Sequence, residues 1–320
     1  IVVMAAWRIG RRTLRTPLLI ALAVIGFLAL TLLKLPYPLL VISAGVVGLI
    51  TARWRPGLLV LGRSHGAVSA HSDDRPQEAL HDDNSETPVH ARFSRRRLAL
   101  TLLVWAVALL FPLALLVAWG GWNGTLALMA RFFTRVALLS FGGAYAVLPY
   151  VAQGAVEQFG WLSASQMLDG MALGETTPGP LIMVVAFVGF MGGWNQGLAG
   201  GAAHWALAIA AALVTVWFTF LPSFGFILAG APLVEASRGD IRLAAPLSAI
   251  TAVVVGLIGS LAVFFAGPVL WPAGVFNPWA LLVAVAALVL QLRLRWSVMQ
   301  VIGAAAAAGL LRALISLWWP

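Results

Sequence analysis

The sequence contains no cysteine. That excludes a disulfide framework and any thiolate metal site. Charge is nearly as scarce: Asp, Glu, Lys and Arg make up 10% of the 320 residues, whereas a soluble domain carries about 25%. What fills the chain instead is apolar, 61% hydrophobic with a mean hydropathy of +0.96. Such a composition reads as an all-α, multi-pass membrane protein, because a helix satisfies its own backbone in lipid. There is no P-loop phosphate cradle either, which argues against ATP hydrolysis.

The formal net charge of +9 would point to nucleic acid in a soluble protein. Here the cations flank apolar runs: Arg8, Arg11, Arg12 and Arg15, then Arg53 and Arg55, then Arg92 and Arg95 to Arg97, and finally Arg293 and Arg295. Cytoplasmic loops collect Arg and Lys in this way, so the charge reports topology and no nucleic-acid partner is expected. Pro17 to Leu33 and Leu39 to Ala52 form a transmembrane hairpin about the turn Lys34 to Pro38. Leu98 to Trp119, Leu243 to Ala266, Trp279 to Leu292 and Val298 to Trp318 read as further crossings. Ile1 to Trp7 is far shorter than the roughly 20 residues that span a bilayer. It has no charged leader or cleavage site, so it reads as the remainder of a helix in an N-terminally incomplete chain. Residues 53–97 are expected to be a largely disordered cytoplasmic linker, since from Arg63 onward they are too polar to bury a core. Four of the five histidines fall there, at 65, 71, 81 and 90, in no tight ligand spacing, so neither a metal nor another cofactor is expected.

The informative stretch runs from Arg131 to Trp194, where apolar segments are interrupted at Ser140-Phe141-Gly142-Gly143 and at Gly174-Glu175-Thr176-Thr177-Pro178-Gly179-Pro180. Broken helices at membrane depth are tolerated only where protein or a water-filled cavity satisfies the freed backbone, and they mark transporter binding sites. Thr176 or Thr177 is expected to cap a following helix whose first turn holds Pro178 and Pro180. Gly179 would let a ligand approach the backbone, and the N–H groups of Gly179, Leu181 and Ile182 would face an oxyanion at a positive helix end. Ser140, Gly142 and Gly143 supply the second break. The glycine pairs, including Gly192-Gly193, have an equally good reading as close helix packing. Glu175 and Asp169 are awkward beside an anion. Burial disfavours an ionised carboxylate, so a protonated Glu175 would donate a hydrogen bond to the anion or cycle protons against it. Arg131 and Arg135 lie one turn apart, either snorkelling to the interface or lining an anion vestibule. Pro222 to Ala236 looks like a second broken segment, and the lone His204 is more often a packing residue than a proton relay.

Phe141-Gly142-Gly143, Leu148-Pro149, Gly160-Trp161-Leu162, Asp169-Gly170 and Pro178-Gly179-Pro180 occur in the order seen in the chromate ion transporter family. Phe220-Leu221-Pro222-Ser223-Phe224 and Gly230-Ala231-Pro232 fit the same pattern. The chain therefore resembles that family along its length. The resemblance implies secondary active export of chromate across the bacterial inner membrane, chromate resistance, and sulfate as a related anion. It also implies two homologous halves in inverted orientation. Residues 1–52 would be the tail of the first half, 53–97 the linker and 98–320 the second half. A faint repeat agrees: Lys34 precedes Gly48-Leu49-Ile50 at the spacing with which Arg295 precedes Gly309-Leu310-Leu311. Expected partners are a small oxyanion, the bilayer, protons and a second copy in a homodimer. The rivals are a membrane-embedded enzyme, for which Ser140, Ser163, Ser165 and His204 form no nucleophile motif, and a non-transporting assembly subunit.

Overall fold

In the computed structural model the described residues are 2–54, 95–140, 144–177, 181–196, 202–236 and 244–318. They form helices, with no strand among them. Three helices lead: α1 (Val2–Thr13), α2 (Pro17–Thr31) and α3 (Tyr37–Trp54). After the linker, which lies outside the described residues from 55 to 94, come α4 (Arg95–Gly120) and α5 (Thr125–Leu138). Then follow α6 (Ala144–Ala152), α7 (Ala164–Thr176), α8 (Val184–Asn195) and α9 (Ala202–Ala236). The last three are α10 (Ala244–Leu270), α11 (Pro278–Arg293) and α12 (Val298–Trp318). Among the described residues, five helices are long and apolar enough to cross a membrane, those of residues 37–54, 98–120, 204–230, 245–270 and 298–315.

α10 is the spine. Both α2 and α3 pack on it, and far more closely than on each other. α2 runs with it: Gly26 lies against Val253, and Thr31 Oγ1 donates to Ser260 Oγ at 3.0 Å. α3 runs against it, with Gly48 seated on Pro246 and Ala249. α4 is braced on α9 by two indoles, Trp105 Nε1 donating to the Leu221 carbonyl at 2.9 Å and Trp217 Nε1 to the Ala108 carbonyl at 3.1 Å. The ends carrying Arg15, Arg53 and Arg293 fall on one side of this frame. We call it the basic end.

Two hairpins obey one set of local instructions, 261 positions apart. Thr16 and Asn277 each cap a helix that opens on proline, accepting from Leu19 N and Ala280 N. At the far ends, Leu35 N bonds the Ala29 carbonyl and Trp296 N the Leu290 carbonyl, both at 3.2 Å. The intervening basic residue is left-handed in both, with φ +49° at Lys34 and +55° at Arg295. This is a helix-ending motif that usually carries glycine. Tyr37 and Val298 then open the next helices. α2 runs with α10 whereas α11 turns back from it through Trp271 to Asn277, so the two copies point in opposite directions, as an inverted repeat requires.

The expected break at Pro222 is absent: α9 is one helix of 35 residues. A proline leaves carbonyls of the preceding turn short of donors, and neighbouring helices can re-satisfy them. Here the indole of Trp105 braces the helix beside the proline by donating to the Leu221 carbonyl, while the carbonyl that Pro222 deprives of its helical donor is that of Phe218. The residues after α9, including Arg238, Asp240 and Arg242, lie outside the described residues.

Candidate functional site

The segments around residues 140 and 178 fold as two re-entrant hairpins. In the first, α5 descends and α6 returns, so Phe132 of α5 meets Tyr150, Phe159 and Trp161 of the returning limb, with ring centroids 5.2 to 5.5 Å apart. The returning limb loosens into a π-helical turn over Gln153–Gln158. In the second, α7 descends from a capping box, Ser163 Oγ accepting from Gln166 N and Gln166 Oε1 from Ser163 N. A short 3₁₀ turn (Leu181–Met183) leads into α8, which climbs back until Asn195 Nδ2 donates to the Trp161 carbonyl at 2.8 Å and to Gln166 Oε1 at 3.0 Å. Both hairpins therefore have their open ends together near Gly160, and Ser140 and Thr177, which flank their closed ends, are exposed.

The two closed ends meet. Tyr145, in the first turn of α6, donates its hydroxyl to Glu175 Oε1 at the end of α7. Both residues are half-buried. Tyr145 lies in the first turn of α6, so the partial positive charge of that helix start is beside the contact. Glu175, singled out from the sequence, is thus at the junction. Tyr145 is the partner that sequence reading missed. The chain has only three tyrosines, and all of them gather at α6. Tyr37 stacks on Tyr150 at 5.0 Å and donates its hydroxyl to the Ala146 carbonyl at 2.8 Å. Scarcity of tyrosine was the one signal available for them.

The threonines depart from expectation. Thr176 Oγ1 donates to the carbonyls of Ala172 and Leu173 at 3.1 and 3.0 Å, and Thr177 Oγ1 to that of Leu173 at 2.7 Å. They close α7 rather than cap the next helix, because a Thr hydroxyl can bond back to the preceding turn as readily as forward. α8 begins with no side-chain cap. Gly142 and Gly143 of the first break, and Pro178, Gly179 and Pro180 of the second, lie outside the described residues. Ser140 is exposed just beyond α5, its N–H bonded to the Ala137 carbonyl at 3.2 Å. The packing reading fits Gly192 and Gly193: a Cβ on Gly193 would stand 2.9 Å from Ala208 Cα, and one on Gly192 would stand 2.5 Å from Met129 Cε.

Arg131 is not at the junction. It donates to the Trp122 carbonyl at 2.6 Å, and its guanidinium lies 4.2 Å from the centre of the Trp122 ring. This is the snorkelling anchor of the two readings weighed for it. Arg135 is exposed one turn deeper, within electrostatic reach of Tyr150. Asp169 is exposed on α7, away from the closed end. His204 packs edge-on to Trp194 with ring centres 4.1 Å apart. Among the described residues, no three His, Asp or Glu gather as a metal site; the linker histidines lie outside them.

The geometry thus brings the ends of two helix hairpins together at a carboxylate and a phenol. Known proteins with related sequences give the family. Residues 127–310 match the family model described as chromate transporter, which spans both re-entrant hairpins and most of α9 to α12. The chain is 41% identical over 126 residues to a chromate transport protein of Pseudomonas aeruginosa, a match covering 39% of this chain and 27% of that one. It is 29% identical over 127 residues to a chromate transport protein of Cupriavidus metallidurans, covering 40% and 28%. An uncharacterized transporter of Methanocaldococcus jannaschii is 26% identical over 149 residues, covering 47% and 34%. The matches span about a third or less of these relatives. No solved structure matches. Since the family model covers residues 127–310 of 320, more than half of the chain, this protein belongs to the chromate transporter family.

Proposed function

We propose that the chain carries chromate, and sulfate-like oxyanions, across the bacterial inner membrane by secondary active transport, with the junction of the two re-entrant hairpins as the anion site. The observation that carries this reading is the Tyr145 to Glu175 contact between the closed ends of two broken-helix pairs. A dianion held there replaces its hydration with the N–H groups of the two returning helices and the Tyr145 hydroxyl. Ser140, Thr176 and Thr177 flank it, and Gly142, Gly143, Pro178, Gly179 and Pro180 are the further candidates that the sequence offers. Glu175 is the coupling residue. Ionised, it holds Tyr145 and repels a dianion. Protonated, it becomes a donor and leaves the phenol free for the anion, so anion and proton occupy the site together. A dianion moving with one proton carries one net negative charge. An inside-negative potential drives that charge outward by about 2.3 kcal/mol per 100 mV. Export and chromate resistance accord with that sign.

In this reading residues 1–52 are the closing hairpin of a first half, 53–97 a cytoplasmic linker and 98–320 a second half. The repeat of capped hairpins at a spacing of 261 supports the assignment. A homodimer would place further copies of the same elements together. The test is flux of chromate and sulfate in proteoliposomes, with and without a pH gradient. Chromate uptake into inside-out vesicles that steepens at low pH is expected. Glu175→Gln should retain flux while flattening its pH dependence. A Glu175→Gln protein with the original pH profile removes the coupling role, and absence of any oxyanion flux removes the transport reading.

A further inference from the structure

A second polar centre lies at the basic end, with one of its residues, Arg8, within electrostatic reach of Tyr145 at the junction. α1 places Met4, Trp7, Arg8, Arg11 and Arg12 at spacings of three and four, which put them on one helical face. Its other face carries Ala5 and Gly10, which are buried, Gly10 lying against Val255 of α10. The charged face is exposed and lines an open cavity of about 450 Å³, bounded on the far side by Gln291 and Leu292 at the end of α11. Three arginines and no carboxylate are among the lining residues. Arg11 rests over the Trp7 ring, 5.9 Å from its centre, which limits its wandering.

Gln291 is the unusual member. It is only 8% exposed, and its Nε2 has no hydrogen-bond partner. Folded proteins seldom leave a buried amide donor unanswered. The fold itself does not ask for glutamine at this place. In the other copy of the hairpin, 261 positions earlier, the equivalent residue is Leu30. Leu30 lines the matching corner, a cavity of about 270 Å³ where Lys34 is accompanied by Glu157. One corner of the repeat thus has one cation and one carboxylate, and the other has three cations and a spare amide donor. A half-turn of a glutamine amide exchanges its oxygen and nitrogen without changing its shape, so Gln291 can offer its N–H to the cavity.

We propose that the cavity between α1 and the end of α11 binds a tetrahedral oxyanion, with Arg8, Arg11 and Arg12 supplying charge and Gln291 a directed neutral hydrogen bond. Guanidinium forks suit sulfate and phosphate oxygens. The same chemistry has two sources, a free oxyanion in the cytoplasm or the phosphate of an anionic lipid in the adjoining leaflet, where such lipids concentrate. Because Arg8 reaches Tyr145 of the junction, the test variants are confined to Arg11, Arg12 and Gln291.

The test uses the whole chain, delipidated in detergent, with sodium sulfate as the probe in titration calorimetry. Native mass spectrometry after exposure to phosphatidylglycerol or phosphatidylcholine is the second measurement. Sulfate affinity should fall at least tenfold in the double variant Arg11→Gln, Arg12→Gln and in Gln291→Glu. It should fall several-fold in Gln291→Leu, which restores the residue of the other copy and so preserves folding. Arg11→Lys should recover part of the loss. If the lipid is the source, a phosphatidylglycerol adduct, but not a phosphatidylcholine one, persists on the unaltered protein and vanishes in the same variants, with or without sulfate binding. The proposal is overturned if neither probe binds the unaltered protein, or if both bind all the variants as they bind it.

Discussion

The hairpin of α2 and α3 and the hairpin of α11 and α12 start, turn and cap alike, yet they end in opposite circumstances. In the first, Leu19, Leu22, Tyr37, Val41 and Ala44 are buried. In the second, only Gln291 in α11 and Val301 in α12 are buried among the described side chains. Gly48 and Gly309 condense the contrast, being the same position of the repeat. A Cβ on Gly48 would stand 2.7 Å from Pro246 Cα and 2.9 Å from the Ala245 carbonyl oxygen, while one on Gly309 would meet nothing within 4 Å. Caps and turns therefore build the hairpin without deciding what it touches. Contact comes from a second layer of choices, the small residues that let α10 approach.

That division can be broken most sharply at the glycines. Gly48→Leu should cost about 3 kcal/mol or more, since backbone rather than a pliable side chain blocks the new atoms, and Gly309→Leu should be neutral or slightly stabilising. Thermal unfolding in detergent, monitored by circular dichroism, reads both. Equal losses at the two sites would mean that the second hairpin is as tightly held as the first. Next comes the link that only the first copy makes. Tyr37→Phe removes the donor to the Ala146 carbonyl and should cost about 1.5 kcal/mol. Unaltered stability would show that ring stacking on Tyr150 carries the contact alone.

The shared instructions predict matched effects. Thr16→Ala and Asn277→Ala should each cost about 1 kcal/mol through loss of the cap, and a ratio far from one would mark the two starts as different in kind. Smallest of all, Lys34→Gly and Arg295→Gly should each stabilise by about 0.5 kcal/mol. Relief of left-handed strain slightly exceeds the entropy that glycine adds to the unfolded chain. A loss at either site would show that the basic side chain is needed there.

Much of this was legible in the residues. The apolar runs, the hairpin turns, the interruptions at Gly142-Gly143 and Thr176 to Pro180 and the repeat about Lys34 and Arg295 all announce themselves through local chemistry. What was not legible depended on partners distant in sequence. Pro222 reads as a break because nothing nearby shows that Trp105, 116 residues before Leu221, supplies a donor beside it. Thr176 and Thr177 read as caps of the following helix, and only the fold shows them closing α7. Tyr145 and Glu175 are 30 residues apart on separate hairpins. No periodicity connects them until both hairpins fold inward. The carboxylate could be flagged as out of place in lipid, but its phenol could not.

The unbroken α9 has one more consequence. Its apolar stretch of 27 residues is about 40 Å long at 1.5 Å per residue, against a hydrocarbon core of about 30 Å. A rod that long is accommodated by leaning or by local thickening of the bilayer. A slanted strut sweeps sideways as it crosses. That lets its first half serve α8, through Gly193 and Ala208, while its second half reaches Trp105 of α4. As a single member, α9 makes the second re-entrant hairpin and the outlying α4 share one lever.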